Sequence, residues 1–410
     1  MPAFDFTPLL APDLPPPAPK YGGFPKFNFV GGHNDPSLIP VDALIAAAQA
    51  VIRREGPTLA TYSMSSGPLG YRPLREFLAA KMKRHASIDC SPDDVLMVSG
   101  SQQGLDMINT LLLAPGDTVL VERDSYGGML SRYTRLKVKT VGVDLDDDGM
   151  NPQALEKALA DLKAKGVKPK YIYLIPTVQN PTGSIMSEAR RLAILKIAES
   201  HGVPIFEDEC YSDLIWNGQR PPAFYALTKT DNVIHLGSFS KSIAPAVRIG
   251  YIVCKPSLMP QIRALKTDGG VGALDQMIIA EFCLNHFHDH VARLSKGLRG
   301  KLEVLMESLS ERFGTAAEFG DPPGGIFLWI KLPDVVDTQK LAQVALAEGV
   351  ALNPGPEWST DKTYAKSRLR LCFANPDHAT IRAGVAKLAE VCQREFGVPV
   401  RSANIEAARS

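Results

Sequence analysis

The chain is expected to be an α/β protein: a large, mostly parallel sheet covered by helices, followed by a smaller α+β unit. Three observations carry this expectation. Short apolar, β-branched runs alternate with amphipathic segments between 95 and 254. The runs are almost continuously apolar, as strands buried on both faces require. Near residue 300 the alternation gives way to a long helical pattern and then to strand, helix, strand and helix patterns. At 410 residues the chain allows two or three domains of roughly 150 residues each and a large buried core.

The expected elements follow in order. Residues 1–40 form an N-terminal arm; Pro15-Pro-Pro17 and Pro19 exclude helix and central strand there. The arm is either a loose tail or a strap over an active site or a neighbouring subunit. A helix begins near Val41, with Asp42 as its expected cap. Seven strands are expected at 95–99, 118–122, 139–144, 171–176, 204–209, 233–239 and 248–254, with helices such as 152–165 and 187–201 between them. Together they make a large domain over 41–300. A long helix at about 289–313, the strand Gly324–Ile330, a helix at 338–348, the strand Ser367–Phe373 and a last helix at 377–395 make a small domain over 301–410. The tail after Gly397 is expected to be loose.

Composition narrows the class. Forty-five Lys and Arg face 44 Asp and Glu, a formal net charge of +1. Such balance provides no field for nucleic acid or an anionic membrane surface. Six cysteines (90, 210, 254, 283, 372 and 392) lack paired spacing and read as reduced thiols of a cytoplasmic protein. No apolar run approaches the ~18 residues of a membrane span, and the N-terminus lacks the basic region of a signal peptide.

The chemistry concentrates in Gly237-Ser-Phe-Ser-Lys-Ser242, with Arg248 seven residues beyond Lys241. A lysine beside hydroxyls and a guanidinium can form a Schiff base with an aldehyde while its neighbours hold that aldehyde's phosphate. Pyridoxal phosphate is the cofactor that needs this arrangement. Three upstream features stand in the right order: Asn180-Pro-Thr-Gly183, Asp208 after an apolar run, and Tyr211 three residues later.

With these motifs the chain resembles the fold-type I pyridoxal-phosphate aminotransferases of class I/II, from about Asn28 to the last helix. Gly100-Ser-Gln-Gln-Gly-Leu-Asp106 and Gly70-Tyr-Arg-Pro-Leu-Arg75 look like the 2-aminoadipate/kynurenine aminotransferase branch. The resemblance implies a transaminase that moves an amino group from an L-amino acid to a 2-oxo acid by a ping-pong cycle, with 2-oxoglutarate the default acceptor. It further implies a seven-stranded large domain and a homodimer with shared active sites.

Each cofactor anchor then has a candidate. Lys241 holds the aldehyde and, once freed, serves as the base. Asp208 faces the pyridine nitrogen; strand alternation turns Glu207 and Glu209 to the other face, as caps or salt bridges. Tyr211 and Asn180 meet the phenolic oxygen. Ser101 and Gln102 at a helix N-terminus, with Ser238, Ser240 and Arg248, cradle the phosphate. Tyr126 matches the family's ring-stacking aromatic. Tyr71 matches a tyrosine that reaches the other subunit's phosphate, with ordinary packing as the alternative. Arg370 and Arg368 share a strand face, so the pattern alone leaves both open for the substrate carboxylate. The resemblance favours Arg370, and Gly32 of the kept Gly31-Gly32 pair is a substrate contact.

Some features depart from the pattern. Ala246 and Val247 precede the phosphate arginine, where Gly-Leu is common. The arm has no arginine before Arg53, which weakens the case for an acidic substrate. His33 stands where an apolar residue is frequent, and Tyr21, Phe24, Phe27 and Phe29 can build an apolar pocket for aromatic or branched-chain donors. Cys283, His286 and His290 could share a helix face and hold zinc. The plainer expectation is no metal and a His-rich helix end near the negative pole. Two other activities use the same anchors: a pyridoxal-phosphate lyase, and a regulator that senses the cofactor from behind a DNA-binding domain.

Overall fold

The computed structural model describes residues 3–11, 14, 17, 18, 20–62 and 66–400. Pro15, Pro16, Pro19 and the tail from Arg401 onward lie outside the described residues.

The seven expected strands form one sheet in the order Val95–Val98, Gly250–Val253, Val233–Ser238, Ile205–Asp208, Ile172–Leu174, Thr118–Glu122, Lys139–Val143. Gly250–Val253 runs antiparallel to both neighbours, and the other pairings are parallel. The four central strands are buried along their whole length, which is why their sequences read as unbroken apolar runs. Thr118–Glu122 matches its expected bounds, and the other six strands are shorter than expected by one to three residues.

Helices Gly100–Leu112, Gly127–Arg135, Pro152–Ala164 and Glu188–Ser200 cross between strands. Asn151 and Ser187 cap the last two with their side chains. Pro40, not Asp42, takes the cap position of Val41–Glu55; Asp42 sits inside the first turn, where a carboxylate still favours the positive end.

The long helix is Ala273–Phe313, 41 residues rather than the expected stretch from about 289. Its first half sends Met277, Phe282, Cys283 and Phe287 into the core around the large sheet. Its second half sends Leu294, Leu298, Leu305 and Phe313 into a separate core around the C-terminal strands. The boundary expected at 300 therefore falls inside one helix. The cysteine–histidine run also lies mid-helix, not at a helix end. Cys283 and His290 are buried there while His286 is exposed.

Phe327–Lys331, Arg368–Cys372 and Asn353–Pro354 form an antiparallel sheet backed by Thr338–Ala347 and His378–Phe396. Register places Arg370 between Trp329 and Asn353. The arm joins this region: Phe27–Asn28 pairs in parallel with Val350–Ala351, and Phe29 is fully buried. No described helix is long and apolar enough to cross a membrane.

Candidate active site

The carboxyl ends of the parallel strands open into a cavity of about 360 Å³ lined by Gly32, Ser101, Gln102, Tyr126, Asn180, Asp208, Tyr211, Ser238, Ser240, Lys241, Arg248 and Arg370. Open α/β sheets place ligand sites at this edge. Twelve of the thirteen expected site residues thus meet, though they are spread over 339 positions of sequence, from 32 to 370.

Lys241 donates from Nζ to the Gly32 carbonyl at 2.8 Å. A Cβ on Gly32 would overlap that amine where it now lies, so the glycine leaves the lysine room as the arm passes it. Burial holds the amine below its ordinary pKa, and Arg370 and Arg248 push the same way. Asp208 ends its strand with a buried carboxylate that accepts from the Tyr173 hydroxyl at 2.9 Å and from the Cys210 N–H at 3.3 Å. Burial raises its pKa. Glu207 and Glu209 do face away. Glu207 caps the short helix Phe224–Leu227 by accepting from the N–H groups of Phe224 and Tyr225, and it pairs with His235 at 2.9 Å. Glu209 lies between Arg191 at 3.5 Å and Arg220 at 3.2 Å.

One end of the cavity is built for an anion. Helix Gly100–Leu112 points its N-terminus at it through Ser101 and Gln102. Arg248 adopts a left-handed backbone (φ 51°) and donates to the Ser99 carbonyl at 3.3 Å. A Cβ at Gly100 would strike its guanidinium, which explains the Ser-Gly step before this helix. Ser238 Oγ accepts from the Ser240 N–H at 3.0 Å. Gln102 donates to the Tyr126 hydroxyl at 2.9 Å and is gripped by Arg132.

The other end holds Arg370, which is 3 % exposed. Its Nη1 donates to Asn180 Oδ1 and its Nη2 to Asn353 Oδ1, both at 2.9 Å, while the guanidinium lies 3.7 Å from the Trp358 ring centre. Its Nε is buried without a hydrogen-bond partner. Arg368 instead lies 3.6 Å from the Tyr364 ring centre and donates to the Tyr364 carbonyl, outside the cavity. Asn180 also donates to Tyr211 Oη at 3.3 Å, so one amide links the carboxylate-binding end to the centre. Asn353 and Trp358 went unread in the sequence. Both sit in an Asn-Pro-Gly-Pro-Glu-Trp stretch whose composition signals only a turn.

Tyr71 stands apart from this chain's cavity. Its hydroxyl donates to Glu55 at 2.7 Å and it is 3 % exposed. Tyr62, nine residues earlier, is 89 % exposed.

Asn180 is itself held from behind. Gln179 donates to Glu122 Oε2 at 3.1 Å and to the Asp124 carbonyl at 2.7 Å, and it accepts from the Thr182 N–H and hydroxyl, both at 2.8 Å. Burial pushes Glu122 up to about 8, and its Oε1 has no hydrogen-bond partner. A carboxyl whose folded pKa lies above its unfolded value holds its proton in the fold, so its contribution is lost as pH rises from about 4.5 through about 8. Glu122→Gln is therefore expected to lose less stability than the parent between pH 6 and pH 9, by on the order of 2–3 kcal/mol. Denaturant melts of both proteins at the two pH values check this; parallel curves would mean that Glu122 is ionised throughout.

These residues have the donor set that pyridoxal phosphate needs: an amine, a carboxylate, a phosphate cradle and a carboxylate clamp within one cavity. The family model for aminotransferase class I and II matches residues 32–388. The chain belongs to the aminotransferase class I and II family. It is 31 % identical over 372 residues to aromatic-amino-acid aminotransferase 1 of Thermococcus litoralis, covering 90 % of this chain and 88 % of that one. The α-aminoadipate aminotransferase LysN of Thermus thermophilus, solved with N-(5'-phosphopyridoxyl)-L-leucine, superposes with a TM-score of 0.82 at 29 % identity, covering 90 % of this chain and 93 % of that one. The kynurenine aminotransferase of Pyrococcus horikoshii gives a TM-score of 0.84 at 30 % identity, with 92 % of each chain covered. This aminotransferase is thus a pyridoxal-phosphate enzyme of fold type I that acts on an amino acid and a 2-oxo acid.

Proposed function

We propose that this aminotransferase runs two half-reactions in turn at the one cavity. An L-amino acid enters and leaves as its 2-oxo acid, and a second 2-oxo acid, with 2-oxoglutarate the default, then takes the amino group. The meeting of Lys241, Asp208, Arg248 and Arg370 in one cavity carries this reading. Pyridoxal phosphate, when bound, supplies the electron sink that stabilises charge at the substrate Cα.

The chain's own groups supply the rest. Arg248, Ser238, Ser240 and the N–H groups around Ser101 and Gln102 hold the phosphate, and Tyr126 lies against the ring. Asp208 would face the ring nitrogen and keep it protonated, and that cation would offset the burial that raises the carboxyl's pKa. Tyr211 and Asn180 hold the phenolic oxygen. Lys241 removes and returns the proton at Cα. Its lowered pKa keeps a fraction of the amine neutral for that work. Arg370 clamps the α-carboxylate with its planar fork, and Gly32 leaves the substrate room beside it.

The donor class we propose is aromatic, branched-chain or 2-aminoadipate-like; relatives named for aromatic amino acids and for 2-aminoadipate support the first and the last. We further propose a cytoplasmic homodimer with shared active sites. Val41, Ile45, Ile52, Leu59 and Tyr62 are exposed apolar groups along one stretch, the kind of surface a second copy covers. The division into an arm over 1–40, a large unit over 41–300 and a small unit over 301–410 is part of the same reading.

The test is the visible spectrum of the holoenzyme with L-amino acids added and no 2-oxo acid. Loss of the lysine-bound cofactor band with a donor, restored by a 2-oxo acid, is the expected result. Release of pyruvate and ammonia from a cysteine-type substrate without any 2-oxo acid would move the assignment to a lyase. Arg370→Gln is expected to raise KM for the donor about 100-fold with the cofactor band unchanged, since charge-assisted bonds to the carboxylate are lost. An unchanged KM in steady-state assays would place the carboxylate on another group.

A further inference from the structure

A second cavity, of about 710 Å³, lies between the end of helix Arg72–Ala86, the segment Ser212–Arg220 and the middle of the long helix. Its charge is one-sided. Arg84, His85, Arg220, His288 and Lys296 line it, and Asp213 is the one carboxylate among its lining residues. That carboxylate is already neutralised by Lys81 at 2.6 Å. The buried layer beneath is balanced too: Glu209 sits between Arg191 and Arg220, and Glu207 pairs with His235. Arg84, His85, His288 and Lys296 make no hydrogen bond or ion pair among the described residues, although the His85 and His288 rings lie 5.2 Å apart.

Two buried donors in the same lining are also unused. The Arg220 side chain is 9 % exposed, and its Nε has no hydrogen-bond partner. Ser295 is 8 % exposed, and its Oγ has none either. Unpaired buried donors are uncommon in folded proteins because each forfeits its hydration. Burial first, then Lys81 and His288, hold His85 below its ordinary pKa, while Asp213 pulls the other way. An anion in the cavity would answer the charge of its lining.

We propose that this cleft binds a small dianion, a phosphate monoester or a dicarboxylate, and that its occupancy acts on the active site. The connection is short. Ser212–Arg220 continues directly from Tyr211, a residue of the active-site cavity. Trp216 of this segment donates from its indole N–H to the Pro322 carbonyl at 3.1 Å and from its backbone N–H to the Pro323 carbonyl at 2.9 Å. Gly325 N–H returns a bond to the Leu214 carbonyl at 2.9 Å. Phe327, next along, lies 5.1 Å from the Tyr211 ring and 5.2 Å from the Arg370 guanidinium. A ligand that grips Arg220 therefore bears on the segment that sets Tyr211 and on the loop that leads to Arg370.

The experiment is calorimetric titration of the holoenzyme, its cofactor site already filled, with inorganic phosphate and separately with succinate. Ionic strength is held constant with chloride. Saturable binding in the millimolar range or tighter is expected, weakened about tenfold or more in an Arg84→Gln/His288→Gln/Lys296→Gln protein. Those three side chains are exposed, so the variant should fold and keep its cofactor band. The stronger of the two probes tells phosphate from dicarboxylate. Equal affinity in the variant, or an equal response to chloride alone, would overturn the site. Binding that leaves KM for the amino acid unchanged in the parent would overturn its action on the active site.

Discussion

Lys241→Ala is expected to abolish the visible band of lysine-bound pyridoxal phosphate and to cut turnover by about ten-thousand-fold or more. The lysine performs two tasks that nothing else in the cavity can take over. In the proposed cycle it forms the covalent link, and its amine moves the proton at Cα. The other cations that line the site are the guanidinium groups of Arg248 and Arg370, which are hydrogen-bond donors rather than bases. The amine sits 2.8 Å from the Gly32 carbonyl, so its loss leaves an acceptor unpaired without opening the core. The variant should stay folded and still bind the phosphate moiety. An added small primary amine is expected to restore part of the rate. Single-turnover kinetics with and without that amine check both statements. A variant that retains a tenth of the parent rate would remove Lys241 from its role.

Asp208→Asn is expected to lower kcat by about 1,000-fold while cofactor binding weakens far less. An amide of the same shape can still occupy the strand end, although its single oxygen replaces only one of the two acceptors that Tyr173 and Cys210 use. It carries no charge, so it cannot keep the ring nitrogen protonated, and the cofactor's electron withdrawal falls. Asp208→Glu keeps the charge and should recover part of the loss. Tyr173→Phe removes one bond to the carboxylate and should cost only about tenfold. Spectral titration of the bound cofactor is the second readout: the aspartate and asparagine proteins should differ in band position and pH response. Equal spectra and equal kcat would mean that the ring nitrogen is held elsewhere.

The central sheet was legible because its strands are buried on both faces. Six of the seven strands are buried at every residue and announce themselves in a single sequence, whereas the edge strand Lys139–Val143 is largely exposed. The cofactor residues were legible for a different reason. Lys241, Asp208, Asn180 and Arg248 each sit at or just beyond a strand end, where chain order and spacing are tied to sheet order. The motif order of the resembled family singled out Asp208, strand alternation then turned Glu207 and Glu209 to the opposite face, and those neighbours did turn to Arg191, Arg220 and His235.

The long helix begins sixteen residues before its expected start, at Ala273 against 289. Its first half packs on the large sheet and its second half on the C-terminal strands. The apolar stripe therefore changes partner along the helix, and the histidine run across the join resembles an end. Arg370 and Arg368 show the same limit more sharply. They occupy the same face of one strand, and sequence periodicity cannot rank them. Pairing with Asn353, contact with Trp358 and a hydrogen bond to Asn180 put Arg370 in the cavity, whereas the Tyr364 ring holds Arg368 outside it.

By itself, then, the sequence determined the layered α/β architecture, the cofactor chemistry and the order of its anchors, because these depend on local burial patterns and residue types. Only the tertiary structure decided which arginine enters the cavity, what Gln179 and Glu122 do behind Asn180, and that basic side chains from 84, 220, 288 and 296 gather in one cleft. Those facts are contacts between segments far apart in the chain, and no periodicity within a segment encodes the distance to another.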